Sequence, residues 1–290
     1  MGSVPLVVGA FSKLFLRAGC REVRVDGLPT FLERLKGERG VLTGASRRAP
    51  PCDSQTDLRA RAVSNHISVV DEPFMWGCLP LRTFLDSQTL RWTLGASDVM
   101  FNGKWDRWFF TKGQVIETFR GKGIYQKAID EATKKLDKGQ WVHIFPEGRI
   151  KQENLEELRR FKWGISRMLM ECEKMPLIIP VWIKGFEQVM DEPRVWPNYL
   201  PRTGKDVSIL FGEPLNSTVE PLVQQYRAKY PIPWRPSTYD RPVGQDLQEE
   251  PSEIGRMRSE MAEVMRQGLM QLGRRAVEVE KQPPSRITGW

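Results

Sequence analysis

The stretch GIYQKAIDEATKKLDKGQWVHIFPEG, residues 123–148, carries the clearest signal of the fold in this 290-residue chain. Its first part repeats apolar residues at helical spacing and places Asp130 four residues before Lys134, which predicts an amphipathic helix ending at Gly139. The apolar face of that helix would comprise Ile124, Ala128, Ile129, Ala132 and Leu136. The short run WVHIF follows and is ended by Pro146, which indicates a buried strand. A helix followed at once by a buried strand is typical of α/β proteins.

The same alternation continues towards the C-terminus. Asn154, with Glu157 three residues later, resembles a capping box, so we predict a helix from there to Cys172. Its apolar face would comprise Leu158, Phe161, Ile165, Met168, Leu169 and Cys172. The runs LIIPVWI and VSILFG predict two further buried strands. The predicted fold class is α/β: a single domain with a mostly parallel central sheet flanked by helices, plus a C-terminal helix.

Changes in composition divide the chain into four segments. Residues 1–25 are predicted to be an N-terminal apolar or interfacial segment, and residues 26–225 the α/β domain. Residues 226–252 are predicted to be a proline-rich wrapping loop, and residues 253–282 a C-terminal helix with a methionine-rich stripe.

One part of the α/β domain does not match its surroundings. Residues 44–62 are polar, contain adjacent prolines and lack periodicity. If GVLT (40–43) and VSNHIS (63–68) were joined directly, they would form one continuous strand. We therefore predict that residues 44–62 are a disordered insertion, either a surface loop or an artefact of the gene model.

Charge and cysteine content narrow the function classes. The formal charge of +8 implies an acidic partner, either nucleic acid or a membrane surface rich in anionic lipid. The four cysteines show no C-x-x-C spacing, which predicts free thiols and no metal site. They are Cys20, Cys52, Cys78 and Cys172. The chain contains no run of 18 apolar residues, so we predict no membrane-spanning helix.

Two segments favour a membrane surface as the partner. FNGKWDRWFF, residues 101–110, mixes aromatic rings with lysine and arginine, which suits the headgroup layer of a bilayer but also an aromatic core cluster. VPLVVGAFSKLFLRAG, residues 4–19, is apolar but short, and is either a monotopic anchor or a first helix covering the sheet. Because no basic stretch precedes it, a secretory signal is not expected.

One of only two histidines, His66, lies five residues before Asp71 in AVSNHISVVDEP, residues 62–73. This spacing fits either a structural histidine at a strand end or a general base held in one tautomer by a carboxylate. The other histidine, His143, lies inside the strand WVHIF, where a structural role is favoured because strand interiors seldom present reacting groups.

Charged residues follow two other predicted strands. HIFPEGR places Glu147 and Arg149 on either side of Gly148 at a strand end, and GQVIETFRG places Arg120 at another. Open parallel sheets bind ligands at the carboxyl ends of their strands. These residues are therefore candidates for one site together with His66.

Four blocks of the chain resemble the glycerolipid acyltransferases in order and spacing. They are NHISVVD (65–71), GQVIETFR (113–120), FPEGR (145–149) and IIPVWI (178–183). Asn-His-x-x-x-x-Asp together with Phe-Pro-Glu-Gly is a specific pair of motifs, whereas either alone is weak. Longer blocks, including SNHISVVDEPFMWG and RFKWGISRMLMEC, resemble the mitochondrial phospholipid transacylases of that family. The resemblance covers about residues 10–275 and is interrupted by the predicted insertion.

The resemblance implies an acyltransferase with a His–Asp general-base mechanism and no cofactor or metal. His66 would accept the proton of a lysophospholipid hydroxyl while Asp71 orients the imidazole. Ser68, although near, is not expected to form an acyl-enzyme. The predicted substrate-binding residues are Asn65, Arg120, Glu147, Gly148 and Arg149. In that set the arginines and the glutamate would position the glycerophosphate, amides near Gly148 would stabilise an oxyanion, and Asn65 would orient the His66 loop.

The implied function is coenzyme-A-independent transfer of acyl chains between phospholipids and lysophospholipids, with cardiolipin remodelling as its role. The alternatives are an acyl-coenzyme-A-dependent lysophospholipid acyltransferase and a non-catalytic membrane-surface scaffold. The expected partners are these lipids and an anionic, cardiolipin-containing membrane surface, not nucleic acid. The resemblance also implies a mitochondrial protein, peripheral or monotopic on the outer or inner membrane and facing the intermembrane space. The N-terminus carries no independent signal of mitochondrial targeting.

Overall fold

A seven-stranded sheet forms the centre of the structure, a computed structural model that describes residues 3–36, 59–87, 89–155, 157–194, 196–230 and 252–280. The strands are β1 (Glu22–Asp26), β2 (Arg59–Ser64), β3 (Trp92–Ala96), β4 (Val115–Thr118), β5 (Val142–Ile144), β6 (Pro176–Lys184) and β7 (Asp206–Phe211). Their order across the sheet is β1-β7-β6-β2-β5-β3-β4. Neighbouring strands are parallel except for β6 and β7, so the predicted mostly parallel α/β fold is confirmed.

The central strand β2 brings the candidate site residues to one edge of the sheet. Val63 of β2 pairs with Ile144 of β5 on one side and with Pro180 of β6 on the other. Since β2 and β5 are parallel, the segments that leave their carboxyl ends lie side by side. These segments begin at Asn65 and Phe145.

Helices cover both faces of the sheet. They are α1 (Ser3–Leu14), α2 (Leu28–Lys36), α3 (Asp71–Met75), α4 (Ser97–Met100), α5 (Lys104–Lys112), α6 (Lys127–Asp137), α7 (Gly164–Glu171), α8 (Phe186–Val189), α9 (Asn216–Lys229) and α10 (Ser252–Glu280). One hydrophobic core joins the sheet to α6, α7, α9 and α10, and a second joins it to α1, α2 and α3. The apolar face predicted for α6 is buried from Ala128 to Leu136, as amphipathic spacing requires.

The helix predicted from Asn154 to Cys172 is wrong in its first half, because α7 begins only at Gly164. Leu158 and Phe161 are buried as predicted, but from a non-helical segment. The N–H of Arg159 donates to the Glu147 carboxylate at 2.9 Å, and that of Lys162 donates to the Pro146 carbonyl at 2.8 Å. These long-range hydrogen bonds take the place of a helical ladder.

Two predicted boundaries fall partly outside the described residues. Residues 59–62, assigned to the insertion by the sequence, form the first part of β2, while residues 44–58 lie outside the described part. The predicted wrapping loop begins inside α9, which continues to Lys229, and its residues 231–251 are likewise not described. The C-terminal helix begins at Ser252, close to the predicted start.

The N-terminal segment and the aromatic segment contain exposed apolar side chains. Helix α1 packs on α3 and on the helical turn Trp76–Cys78, yet Val7, Phe11 and Leu14 remain exposed. On α5, Trp105 is 82% exposed and Trp108 51%, so these rings do not form a core cluster. Within the described residues, no helix is long and apolar enough to cross a membrane.

Candidate active site

His66 and Asp71 form a hydrogen-bonded pair just beyond the carboxyl end of β2. His66 Nδ1 lies 2.9 Å from Asp71 Oδ2. The same carboxylate oxygen accepts the N–H groups of Ile67 at 2.7 Å and Ser68 at 2.8 Å. Asp71 is completely buried at the start of α3, whereas the His66 side chain is 19% exposed. An imidazole that is hydrogen-bonded at Nδ1 and partly exposed elsewhere has the geometry expected of a general base.

Burial controls the electrostatics of this pair. Burial raises the pKa of the Asp71 carboxyl, and the hydrogen bonds from His66 and the two backbone N–H groups only partly offset that effect. Asp71 Oδ1 is buried and has no hydrogen-bond partner among the described residues. Among the described residues, every hydrogen bond to the Asp71 carboxylate is therefore made to Oδ2, the atom that faces His66.

Phe145 and Glu147 hold His66 from the neighbouring strand. The Phe145 ring stacks on the imidazole with centroids 4.1 Å apart and an interplanar angle of 22°. One Glu147 oxygen accepts the His66 N–H at 3.1 Å, and the other accepts the Arg159 N–H at 2.9 Å. Burial raises the pKa of the Glu147 carboxyl, again against these backbone hydrogen bonds. The Pro-Glu-Gly turn thus fixes the loop that carries His66.

This geometry favours positioning roles for Asn65 and Glu147 over the predicted substrate contacts. Asn65 is buried, and its side-chain amide exchanges two hydrogen bonds with the backbone of Ile183, at 2.8 and 2.9 Å. It therefore orients the His66 loop, as the resemblance implies, by attaching it to β6. Neither residue belongs to the described residues that line the adjacent cavity.

His66 opens on a cavity of about 2010 Å³ that has apolar walls and several cations. The apolar walls include Val8, Val69, Phe84, Val99, Met100 and Phe110. The cations include Arg120, Lys122, Arg149, Lys162 and Arg194. Arg120 is exposed and paired with Asp98 at 3.3 Å. The structure therefore brings the predicted residues Arg120 and Arg149 to the same cavity as His66.

Gly148 also lines the cavity but does not offer its own amide. Its N–H donates to the Phe145 carbonyl at 3.1 Å, closing a tight turn in which φ is +70°. Only glycine adopts that conformation without strain, which explains the residue type. The oxyanion role predicted for amides near Gly148 stays a prediction, and the amide of Gly148 itself is occupied.

Sequence reasoning missed Gln152 and the role of the Phe145 ring. The Gln152 side chain donates to the carbonyls of Ile67 and Met190 and accepts the N–H of Glu192. It thereby ties the loop after His66 to the segment after α8. No local pattern marks such a residue, because each of its partners is distant in sequence.

Ser68 and His143 are both inaccessible to a substrate. Ser68 is completely buried, and its hydroxyl faces the Met190 carbonyl at 3.4 Å. His143 is completely buried between Ser64 and Glu72. The expectation that neither is a reacting group agrees with this burial.

Comparisons with known proteins match the part of the chain that contains His66 and Asp71. The family model described as Acyltransferase matches residues 53–184, which include the His66–Asp71 pair and the Pro-Glu-Gly turn. The matched residues make up less than half of the chain, and this part of it is similar to the acyltransferase family.

Tafazzins are among the similar curated proteins. The tafazzin of Drosophila melanogaster is 41% identical over 154 residues, covering 53% of this chain and 39% of that protein. The tafazzin of Saccharomyces cerevisiae is 32% identical over 272 residues, covering 79% of this chain and 65% of that protein. The N-acylphosphatidylethanolamine synthase of Arabidopsis thaliana is 35% identical over 169 residues, covering 56% of this chain and 57% of that protein. The chain thus spans less than two thirds of the length of these relatives.

Among solved structures, the 1-acyl-sn-glycerophosphate acyltransferase PlsC of Thermotoga maritima matches with a TM-score of 0.47 and 17% identity. The match covers 80% of each chain.

Proposed function

We propose that the protein is a phospholipid–lysophospholipid transacylase that works without coenzyme A and takes part in cardiolipin remodelling. The observation that carries this proposal is the His66–Asp71 pair at the wall of a large cavity with apolar and cationic surfaces. Acyl chains suit the apolar walls, and the phosphates of two lipids suit the cations. The similarity to tafazzins supports the same substrate class.

The proposed reaction is a direct transfer between two lipids. Because Asp71 occupies Nδ1, His66 uses Nε2 to accept the proton of the acceptor's free hydroxyl. The hydroxyl oxygen attacks the donor's ester carbonyl, and the tetrahedral intermediate then breaks its bond to the donor's glycerol oxygen. That oxygen takes the proton from His66 and leaves as a new lysophospholipid. One ester is formed and one is broken, so no cofactor is required.

We infer that Arg120 and Arg149 bind the lipid phosphates at the cavity rim. Both line the cavity and are exposed, and the planar guanidinium forms paired hydrogen bonds to phosphate oxygens. The ion pair of Arg120 with Asp98 is exposed, so a phosphate can replace the carboxylate at little cost.

We further propose that the protein works at an anionic membrane surface of the mitochondrion, on the outer or inner membrane facing the intermembrane space. The exposed apolar residues of α1 and α5 support interfacial binding, as does the net charge of +8. The similarity to tafazzins supports the compartment. Residues Val4, Pro5 and Val8 of α1 line the cavity, so lipid bound at this helix would enter beside the catalytic pair.

A coenzyme-A-dependent lysophospholipid acyltransferase is the second candidate, and one feature favours it. Gly121 and Gly123 flank Lys122 in an open turn before α6, and both have positive φ. A turn of this kind beside a helix N-terminus suits the phosphates of a soluble donor. The same residues line the cavity, so both candidates use one site.

One assay with pure protein separates the two candidates. Labelled phosphatidylcholine and monolysocardiolipin are incubated with the protein, with and without acyl-coenzyme A. We expect transfer without coenzyme A, in both directions, because an ester is exchanged for an ester. His66→Ala should lower the rate by about 10²–10⁴-fold, the usual contribution of a general base. Activity found only with acyl-coenzyme A would contradict the transacylase proposal, and unchanged activity of His66→Ala would contradict the mechanism.

A further inference from the structure

His143 and Glu72 form a second histidine–carboxylate pair beside the catalytic pair. His143 Nδ1 lies 2.5 Å from Glu72 Oε2, and its Nε2 lies 2.8 Å from Ser64 Oγ. Asp71 and Glu72 are consecutive residues in the first turn of α3. Both carboxylates of this turn are therefore bound to the Nδ1 atom of an imidazole.

The hydrogen bonds that link Ser64, His143 and Glu72 are those of a hydrolytic triad. In such a triad the serine would face the substrate, but here the glutamate faces the cavity. Ser64 and His143 have no exposed surface, whereas Glu72 lines the cavity. A nucleophile has to reach the substrate, so Ser64 does not act as one. We call Ser64, His143 and Glu72 the second unit. Its function has to come from its contacts with the His66–Asp71 pair.

Two sets of contacts connect the unit to His66. Ser64 is the last residue of β2 and precedes His66 by two positions. His143 meets the Phe145 ring edge-on with centroids 4.6 Å apart, and Phe145 stacks on His66. The second pair therefore lies directly behind the ring that supports the general base.

Glu72 is well suited to anchor the first turn of α3. It accepts from Arg91 Nε at 2.7 Å as well as from His143. Burial alone would raise the pKa of the Glu72 carboxyl, but His143 and Arg91 outweigh burial and lower that pKa. The carboxylate is therefore ionised at neutral pH and bound on both oxygens.

Asp71, by contrast, has few contacts that fix the position of its own side chain. Its Oδ1 atom has no hydrogen-bond partner among the described residues, and its Oδ2 atom binds only the loop that it has to orient. The position of Asp71 therefore depends on the backbone of α3, which the adjacent Glu72 attaches to β5 through His143.

We propose that Glu72, His143 and Ser64 are positioning residues for acyl transfer, which keep Asp71 at hydrogen-bonding distance from His66. The reaction named here rests on the proposed function, but the geometric effect does not. A displacement of about 1 Å at a reacting group can cost on the order of 10²-fold in rate.

The presence of only two histidines allows a direct test on the full chain. Protein labelled with ¹⁵N-histidine gives imidazole N–H signals from two rings alone, and Asp71→Asn identifies the signal of His66. Glu72→Gln keeps the side-chain size and removes the charge. We expect it to shift the N–H resonance of His66 as well as that of His143. We also expect it to lower kcat by roughly 10–10²-fold while KM stays within about twofold.

Asp130→Asn is the matched control. It breaks a similarly buried ion pair with Arg167 (2.6 Å), which joins α6 to α7. We expect it to lower the melting temperature without moving the His66 resonance. If Glu72→Gln does not fold, Ser64→Ala removes a single hydroxyl from the same unit and should shift the His66 signal in the same direction by less.

The possible outcomes are distinct. A shifted His66 resonance together with a lower kcat supports the proposal. A lower kcat with an unchanged His66 resonance would show that Glu72 acts through the cavity instead. An unchanged resonance with an unchanged kcat would show that Glu72 has no role in positioning. Either result would overturn the proposal. If the wild-type protein transfers no acyl chain, the proposed function fails, while the resonance measurement still decides the positioning effect.

Discussion

At the residue scale, Asp71 shows how a proposed catalytic group can oppose stability. Its carboxylate is completely buried, and burial raises its pKa above the ordinary value for aspartate. Since the folded-state pKa exceeds the unfolded-state value, the ionised group lowers stability at neutral pH. This penalty is relieved as the pH falls through the raised value.

Asp71→Asn should therefore separate activity from stability. Asparagine carries no charge to bury, so we expect the melting temperature at pH 7 to be unchanged or higher. We expect the transfer rate to fall by about 10⁴-fold, because an amide does not hold the imidazole in the required tautomer. Thermal melts and initial rates measure the two effects, with Asp130→Asn as the structural comparison. A strongly destabilised Asp71→Asn would show that the carboxylate stabilises the fold, contrary to the pKa direction.

At the scale of single elements, β2 shows which part of residues 44–62 the sheet needs. Residues 59–62 pair with β6, and residues 61 and 62 also pair with β5. Position 61 lies in register with Val142 and Ile178, which are completely buried. A central parallel strand favours apolar residues at such positions. The stretch GVLT, residues 40–43, supplies them when it is joined directly to Val63.

Deletion of residues 44–62 should consequently give a folded protein. Leu42 would then occupy the register position of Arg61, and we expect the melting temperature and the transfer rate to equal or exceed those of the full chain. Deletion of residues 59–62 alone is the matched control, because it removes strand pairing without supplying a replacement register. The interpretation of residues 44–62 as an insertion would be abandoned if the longer deletion unfolded the protein.

At the scale of the whole molecule, charge and exposed apolar surface should act together in membrane binding. Basic residues attract anionic lipid at about 1 kcal/mol each near the surface, and salt screens that attraction. The rings of Trp105 and Trp108 and the apolar residues of α1 would then hold the protein at the interface.

Salt should therefore weaken binding to cardiolipin-containing vesicles without abolishing it. The double variant Trp105→Ser with Trp108→Ser should lose the salt-resistant fraction in a vesicle sedimentation assay, because it removes the apolar contribution. Val277→Ser is the control, since Val277 is also exposed but lies on α10, which packs on the opposite face of the sheet. Complete release of the wild-type protein by salt would disprove the apolar contribution.

Much of the fold and the central pair follow from local sequence. The period of α6 predicts its buried face, and short apolar runs predict β5, β6 and β7. The five-residue spacing of His66 and Asp71 suffices for their hydrogen bond, since the loop between a strand and the next helix brings them together. The resemblance to the family adds the association of His66 with the Pro-Glu-Gly turn.

The sequence by itself thus determined the α/β class, which depends on periodicity. It also singled out His66 and Asp71 as a candidate pair, since they are close along the chain and lie in motifs that resemble those of the glycerolipid acyltransferases. Only the tertiary structure decided what supports that pair. Glu147 binds the N–H of a residue 81 positions away, and His143 binds a carboxylate 71 positions away. The described residues between Asn154 and α7 are not helical, because the N–H groups of Arg159 and Lys162 bind the Pro-Glu-Gly turn instead. The first two contacts require the distant strands β2 and β5 to be adjacent in the sheet, and local patterns carry no information about that adjacency.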